Sequence, residues 1–390
     1  MKVLHVSPSF YPSTAYGGTI RSGYGLCKAL SDLGCDVRVL TTDSDGPGGA
    51  LDVTNDVDEQ VDSFRVRYCR KWFRHSISPA LIRTLPSYIR WADVVHLTAV
   101  YSFPTFPTLF FCRWFGKPIV WSTRGSLQRW EGSTRLVLKW IWELACRKLA
   151  PKSKTILHAT SQAEAERSSK RFPGFRTVVI PNGVDLPENF KRSGSGAPFR
   201  LLYLGRLDPI KGVDALLEAC AIVERSGLDW ELRIAGSGPP AYVTFLESKV
   251  QQLGLTQQIR FVGEVLGEKK SALFAECDVG IVPSHVENFA IVVAESLAHA
   301  LPVIASKGTP WKGLETNNCG LWVDNDPGSL AAAICRIQTM PFLEMGMKGR
   351  KWIERSFSWR SVSCEMLTLY LGCTDTSPAD REQLPEKSIS

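Results

Sequence analysis

At 390 residues, the chain is longer than one ordinary hydrophobic core supports and suits two domains of ordinary size. An apolar share of 44% and a charged share of 22% argue for a globular protein, and no apolar run approaches the roughly 20 residues that a membrane-spanning helix needs. The formal net charge of +7 is uneven: residues 64–154 hold 17 Lys and Arg against 3 Asp and Glu, a surplus of 14, so the rest of the chain carries a net −7.

Short apolar runs alternate with helical patterns throughout, which predicts an α/β fold with parallel sheets covered by helices on both faces. Met1–Ser7 reads as a core strand, centred on Val3–Val6, without the hydrophobic region of a cleavable signal. A helix over about 19–33 follows, stopped by Gly34. Further strands are predicted over 37–41, 94–97, 118–122 and 155–159, with a long Leu-, Trp- and Lys-rich helix over about 134–149. The turn Pro181–Asp185 and the polar stretch Lys191–Pro198 mark a linker. The pattern then restarts, with strands over 201–204, 232–235, 259–262, 279–282 and 302–305 and helices over about 213–226, 242–253, 269–276 and 289–300. Two doubly wound domains, 1–185 and 199–356, are therefore expected to face a cleft, joined by a linker over 186–198. A helix over 357–372 and a disordered tail over 373–390 complete the chain. Eleven cysteines, an odd number without C-x-x-C pairing, read as the reduced thiols of a cytoplasmic protein rather than a disulfide framework or a zinc site.

Several loops carry residues suited to chemistry. Arg206 and Lys211 stand five apart after the first strand of the second half, across a turn stiffened by Pro209 and ahead of a helix N-terminus. Two cations and unpaired backbone N–H groups suit a diphosphate, Arg by bidentate hydrogen bonds and Lys as a point charge; a surface Arg and Lys on an ordinary loop is the plainer alternative. The spacing is not that of a Walker loop. Gly17-Gly18 follows the first strand of the chain, where paired glycines let backbone approach a phosphate, although a tight turn alone also explains them. Gly236 lies in a comparable turn, Ala235–Pro239. Glu287 falls at a strand-to-helix turn and Glu295 eight residues on, a rotation of roughly 800° that would set both carboxylates on one side of a helix. In the first half, His96 and Thr98 end one strand and Arg124 follows the next. His96 reads as a packed histidine or a group at a reaction centre, and Arg124 as a phosphate ligand or a structural ion pair. Asp43-Ser44-Asp45 reads as a turn rather than a metal site. Finally, the basic stretch 64–154 holds seven of the twelve tryptophans, as in Arg65–Arg74. It suits an anionic membrane surface or a solvated face over a Trp-containing core; no nucleic-acid-binding module is present.

The run Glu287-Asn288-Phe289-Ala290-Ile291-Val292-Val293-Ala294-Glu295 resembles the signature of retaining family-4 glycosyltransferases with the GT-B fold, and the resemblance extends from about Lys2 to Tyr370. It implies two Rossmann-like domains with a final helix, about 359–371, crossing back to the first. It implies that Glu287 lies near the transferred sugar beside the N–H groups of Asn288, Phe289 and Ala290, and that Glu295 holds the ribose. Arg206 and Lys211 would grip the donor pyrophosphate and stabilise the leaving group. Gly17, Gly18 and Gly236 would line the donor pocket, with His96, Thr98 and Arg124 toward the acceptor. Thr98 stands where the family commonly has His, Ser237 where it often has an acid, and Asn288 and Ala290 where relatives often have Gly. The implied activity is hexosyl transfer from a UDP- or GDP-sugar to a saccharide or lipid-linked acceptor, without metal or other cofactor, in surface polysaccharide or glycolipid assembly. Apart from the resemblance, the cysteine pattern and the basic, Trp-rich stretch 64–154 lead us to expect a cytoplasmic protein, peripheral to the membrane. A nucleotide-sugar 2-epimerase on the same fold and a catalytically idle nucleotide-binding member are the alternatives.

Overall fold

A computed structural model describes residues 1–374 apart from 14, 16, 47, 74–75, 129–134 and 189–195; most of the expected linker and tail lies outside the described residues. The chain divides into two compact units, Met1–Gly183 with the chain from Trp359, and Val184–Ser358.

Unit 1 is built on an eight-stranded sheet in the order β10-β9-β8-β7-β1-β2-β6-β5. Its strands are β1 (Lys2–Val6), β2 (Asp36–Thr42), β5 (Asp58–Val61), β6 (Phe64–Cys69), β7 (Val94–Thr98), β8 (Ile119–Ser122), β9 (Thr155–Ala159) and β10 (Arg176–Val179), with a separate hairpin of β3 (Ser44–Asp45) and β4 (Gly49–Ala50). All neighbours in the large sheet run parallel except β5 against β6. Because side chains alternate along a strand, Leu4 and Val6 of β1 join one core with Leu97 and Trp121. Val3 joins the core on the opposite face with Val37, Phe64 and Tyr370. Helices α1 (Gly18–Asp32), α2 (Pro79–Trp91), α3 (Thr105–Phe115), α4 (Leu136–Leu149), α5 (Gln162–Arg171) and the final α13 (Trp359–Cys373) cover these faces, and α13 packs on α1.

Unit 2 has a six-stranded parallel sheet of β11 (Phe199–Leu204), β12 (Trp230–Ala235), β13 (Ile259–Gly263), β14 (Val279–Val282), β15 (Val303–Ser306) and β16 (Gly320–Val323). Its order, β13-β12-β11-β14-β15-β16, is the 3-2-1-4-5-6 order of a Rossmann sheet. Around it lie α6 (Val213–Glu224), α7 (Pro240–Gln252), α8 (Gly267–Glu276), α9 (Ile291–Ala298), α10 (Gly313–Thr316), α11 (Pro327–Gln338) and α12 (Phe342–Ser356).

Of the cation-aromatic run Arg65–Arg74, Arg74 lies outside the described residues, and Trp72 and Phe73 are exposed. The first half of the run belongs to β6, where Val66 and Tyr68 are buried while Arg65 points outward and Arg67 pairs with Asp58 at 3.0 Å. The helix expected from Phe289 begins only at Ile291, because Ala290 holds a left-handed backbone (φ 58°) that no α-helix continues through.

Candidate active site

The sheet of unit 2 reverses its winding between β11 and β14. At such a switch point the loops leaving the two strands diverge, opening a crevice at their carboxyl ends. The loop after β11 carries Arg206 and Lys211, and the loop after β14 carries Glu287. Asp208 starts a single 3-10 turn over Pro209–Lys211 by accepting a hydrogen bond from the Ile210 N–H at 3.1 Å. Gly212 then turns left-handed (φ 65°) into α6, and a β-carbon there would lie 2.2 Å from the Pro283 carbonyl oxygen. Only glycine lets the two loops meet this closely. The His285 N–H donates to the Ile210 carbonyl at 2.9 Å, which ties them together.

This contact brings Lys211 Nζ within 2.5 Å of Glu287 Oε1, with both side chains largely buried. The Ser284 hydroxyl donates to the same carboxylate oxygen at 3.0 Å, and the Glu287 N–H donates to Gly308 at 2.8 Å. Glu287 therefore lies on the loop ahead of α9, and the helical rotation expected to align it with Glu295 does not operate. Its carboxylate is aimed by a lysine 76 residues earlier in the chain. An ammonium has three donors, so Lys211 can hold Glu287 and still offer N–H groups to an anion. Arg206 is exposed, and its carbonyl accepts from the Tyr203 hydroxyl at 2.8 Å. Burial, and secondly the Glu287 charge, push the Tyr203 phenol far above its ordinary pKa, which keeps it a donor.

Glu295 sits on α9, where Lys270 of α8 meets its Oε1 at 2.6 Å. Gly236, after β12, has φ 146°, and a β-carbon there would lie 1.8 Å from the Gly205 carbonyl oxygen. The Leu207 N–H donates to Ser237 at 2.8 Å, so this turn lies against the start of the Arg206 loop. Phe289 and Ala290 are buried, and the Phe289 carbonyl accepts from the Trp311 indole. Ser284, Lys270, Tyr203 and Gly308 position these groups and were not singled out from sequence. Isolated Ser, Lys and Tyr residues carry no pattern; only Gly308, in the turn Ser306–Pro310, offers a local signal.

Unit 1 has its own switch point between β1 and β7. Gly17 (φ 53°) precedes α1, and Gly18 is its first residue. His96 on β7 is fully buried and uses both ring nitrogens, Nδ1 with the Tyr370 hydroxyl at 2.5 Å and Nε2 with Ser122 Oγ at 2.9 Å. Ser122 also bonds His158 Nδ1, and His158 Nε2 meets the Ile180 carbonyl at 2.8 Å. A carbonyl only accepts, so the direction of the whole chain follows. His158 donates to Ile180, Ser122 to His158, His96 to Ser122, and Tyr370 to His96. Thr98 Oγ1 lies 3.3 Å from Nε2 of His5, whose ring stacks on His96 at 4.9 Å.

Burial first and the Arg124 charge second lower His5 to about 3 and His158 to about 4. Burial and the neighbouring His5, His158 and Arg124 hold His96 well below its ordinary value. Arg124 has a left-handed backbone (φ 49°) and donates to the Asn182 side-chain oxygen. Its counter-charge is the buried Glu164, which accepts from Thr123 Oγ1 at 2.8 Å, the Gly125 N–H at 2.6 Å and the Thr160 N–H at 2.7 Å. In the Asp43–Asp45 segment, Asp43 accepts from the Lys71 N–H at 2.9 Å and Asp45 from Ser13 Oγ at 2.8 Å, which pins the β3–β4 hairpin.

Residues 16–188 match the model of glycosyltransferase family 4, and residues 198–339 match that of glycosyl transferases group 1. The chain is 28% identical over 337 residues to a GDP-mannose:cellobiosyl-diphosphopolyprenol alpha-mannosyltransferase of Xanthomonas campestris, covering 85% of this chain and 86% of that protein. It is 30% identical over 226 residues to a D-inositol 3-phosphate glycosyltransferase of Thermomonospora curvata; that match covers 52% of each chain, so it spans about half the relative's length. Among solved structures, a sucrose-phosphate synthase from Thermosynechococcus elongatus superposes with a TM-score of 0.75 at 22% identity over 96% of this chain and 100% of that one. The Anabaena protein HepE in complex with UDP gives 0.73 at 18% identity over 95% and 100%.

Proposed function

This chain belongs to glycosyltransferase family 4 and has its GT-B fold, and we propose that it is a retaining transferase that moves a hexose from a nucleotide diphosphate donor to a lipid-linked or saccharide acceptor. The observation that carries this reading is the meeting of Lys211 and Glu287 at 2.5 Å across the switch point of unit 2. It sets a cation for the diphosphate and a carboxylate for the sugar side by side. Arg206, exposed on the same loop, adds a second cation. As the bond from the sugar C1 to the diphosphate breaks, negative charge grows on the departing oxygen. Arg206 and Lys211 neutralise it, the form of stabilisation that commonly dominates catalysis. The acceptor oxygen forms its bond to C1 on the same face, and its proton passes to the leaving diphosphate. Glu287 orients the sugar, Glu295 receives the ribose hydroxyls, and the turn at Gly236 leaves room for phosphate. With two side-chain cations on the diphosphate, the step needs no metal.

The Xanthomonas relative makes GDP-mannose the first donor to test and a diphosphopolyprenol saccharide the first acceptor, with UDP-glucose beside it because UDP complexes of the fold exist. Incubation with donor and acceptor, followed by NMR of the product's anomeric proton, should show transfer with the donor's configuration kept. An inverted product, or donor converted with no acceptor present, would overturn the reading.

A further inference from the structure

Unit 1 exposes an apolar face that its own core does not use. Helix α4 docks through Trp142, whose ring lies tilted at 49° to that of Phe106 with centroids 4.0 Å apart and whose indole N–H donates to the Val100 carbonyl at 2.7 Å, and through buried Cys146. On the outer side of its first two turns, where a surface helix ordinarily carries polar residues, stand Leu136, Val137, Leu138, Trp140 and Ile141. Their exposures run from 46% to 70%. The neighbouring α3, which packs against α4, adds Phe110 and Trp114, the latter 73% exposed. A contiguous exposed patch of this kind marks a surface meant to be covered.

Charge identifies what covers it. Arg135 stands exposed before the helix and Lys148 in its last turn, and Arg113 of α3 donates to the Lys148 carbonyl at 2.8 Å. Arg90 of α2 lies over the Phe115 ring at 4.4 Å. Glu143, the one acid of α4, is turned inward, where the Tyr101 hydroxyl donates to it at 2.5 Å and Arg171 lies at 3.7 Å. A second copy of this chain would bring the same cations face to face. An anionic bilayer offers apolar volume beneath a negatively charged layer, which matches both features. We propose that α4 and the end of α3 form an interfacial anchor that seats the protein on an anionic lipid surface, with the first two turns of α4 at the boundary between headgroups and acyl chains. This inference does not depend on the identity of the donor.

The full chain would be sedimented with vesicles of phosphatidylcholine, alone and mixed with phosphatidylglycerol, while Trp fluorescence is followed. Binding should require the anionic lipid, weaken with salt and shift Trp emission to the blue. Val137→Asp/Ile141→Asp should lower partitioning at least about 100-fold, and Lys148→Gln roughly fivefold, with nucleotide binding unchanged. The proposal fails if the parent ignores anionic vesicles or if the double variant binds them undiminished. It also fails if the parent is a dimer that the double variant makes monomeric, since the face would then be an interface between copies.

Discussion

In unit 2 the loops at the switch point between β11 and β14 carry Arg206 outward and pair Lys211 with Glu287. In unit 1 the strand ends beside the equivalent switch point between β1 and β7 are filled by His5, His96 and His158, all buried and held neutral. Both units use the same doubly wound plan, so topology fixes where a site can form, while side-chain charge and burial decide what that place does. An ion pair with donors left over can meet a polyanion. A histidine chain whose nitrogens are hydrogen-bonded to one another through Ser122, and to Ile180 and Tyr370, fixes the ends of β7, β8 and β9 and ties α13 to them.

The contrast breaks most sharply at Lys211. Lys211→Ala should lower transfer about 100- to 1000-fold while circular dichroism shows an unchanged fold. Activity near the parent's would mean that the charged pair of unit 2 is structural, like the histidines of unit 1. Acid sharpens the comparison from the other side. Buried neutral histidines have folded-state pKa values below 6.5, so the unfolded chain binds more protons as pH falls. Their stabilisation is complete above about pH 6.5 and is lost as pH falls toward about 4 for His158 and about 3 for His5, at up to about 1.4 kcal/mol per pH unit for each histidine. Denaturant unfolding at stepped pH should show this slope, and His158→Gln, whose amide can donate to Ile180 and accept from Ser122, should flatten it; an identical slope would remove the histidine from the account. The smallest effect is expected at Glu295. Glu295→Ala should weaken nucleotide binding roughly tenfold, the worth of one charge-assisted hydrogen bond, as read by equilibrium titration.

Much of the fold was legible because most of the strands of both sheets are short apolar runs, buried on both faces and separated by helical periods. The strands β5, β6 and β10 were not, because exposed or polar residues interrupt their pattern: Asp58 and Gln60, Arg65 and Arg67, Arg176 and Thr177; nor was β16, only four residues long and opened by Gly320. At the site, residue types and their loops could be named from sequence, but their partners could not. The Lys211–Glu287 pair joins positions 76 residues apart and rests on the close approach at Gly212. The left-handed turn at Ala290 is equally silent, since nothing in an alanine announces a positive φ; it moves Glu287 off the helix and replaces the expected helical alignment with an ion pair. The tryptophans of residues 64–154 show the same limit. Composition counts them alike, yet Trp121 is buried in the core while Trp72, Trp114 and Trp140 are exposed.

The central claim, that the Arg206–Lys211 loop holds the donor's diphosphate, is tested most directly by calorimetric titration with GDP, UDP and ADP beside the corresponding monophosphates. The parent should prefer one diphosphate over its monophosphate by at least about tenfold, the worth of roughly 1.4 kcal/mol. Arg206→Ala/Lys211→Ala should erase that preference while monophosphate binding persists. A double variant that still tells diphosphate from monophosphate as well as the parent does would contradict the account.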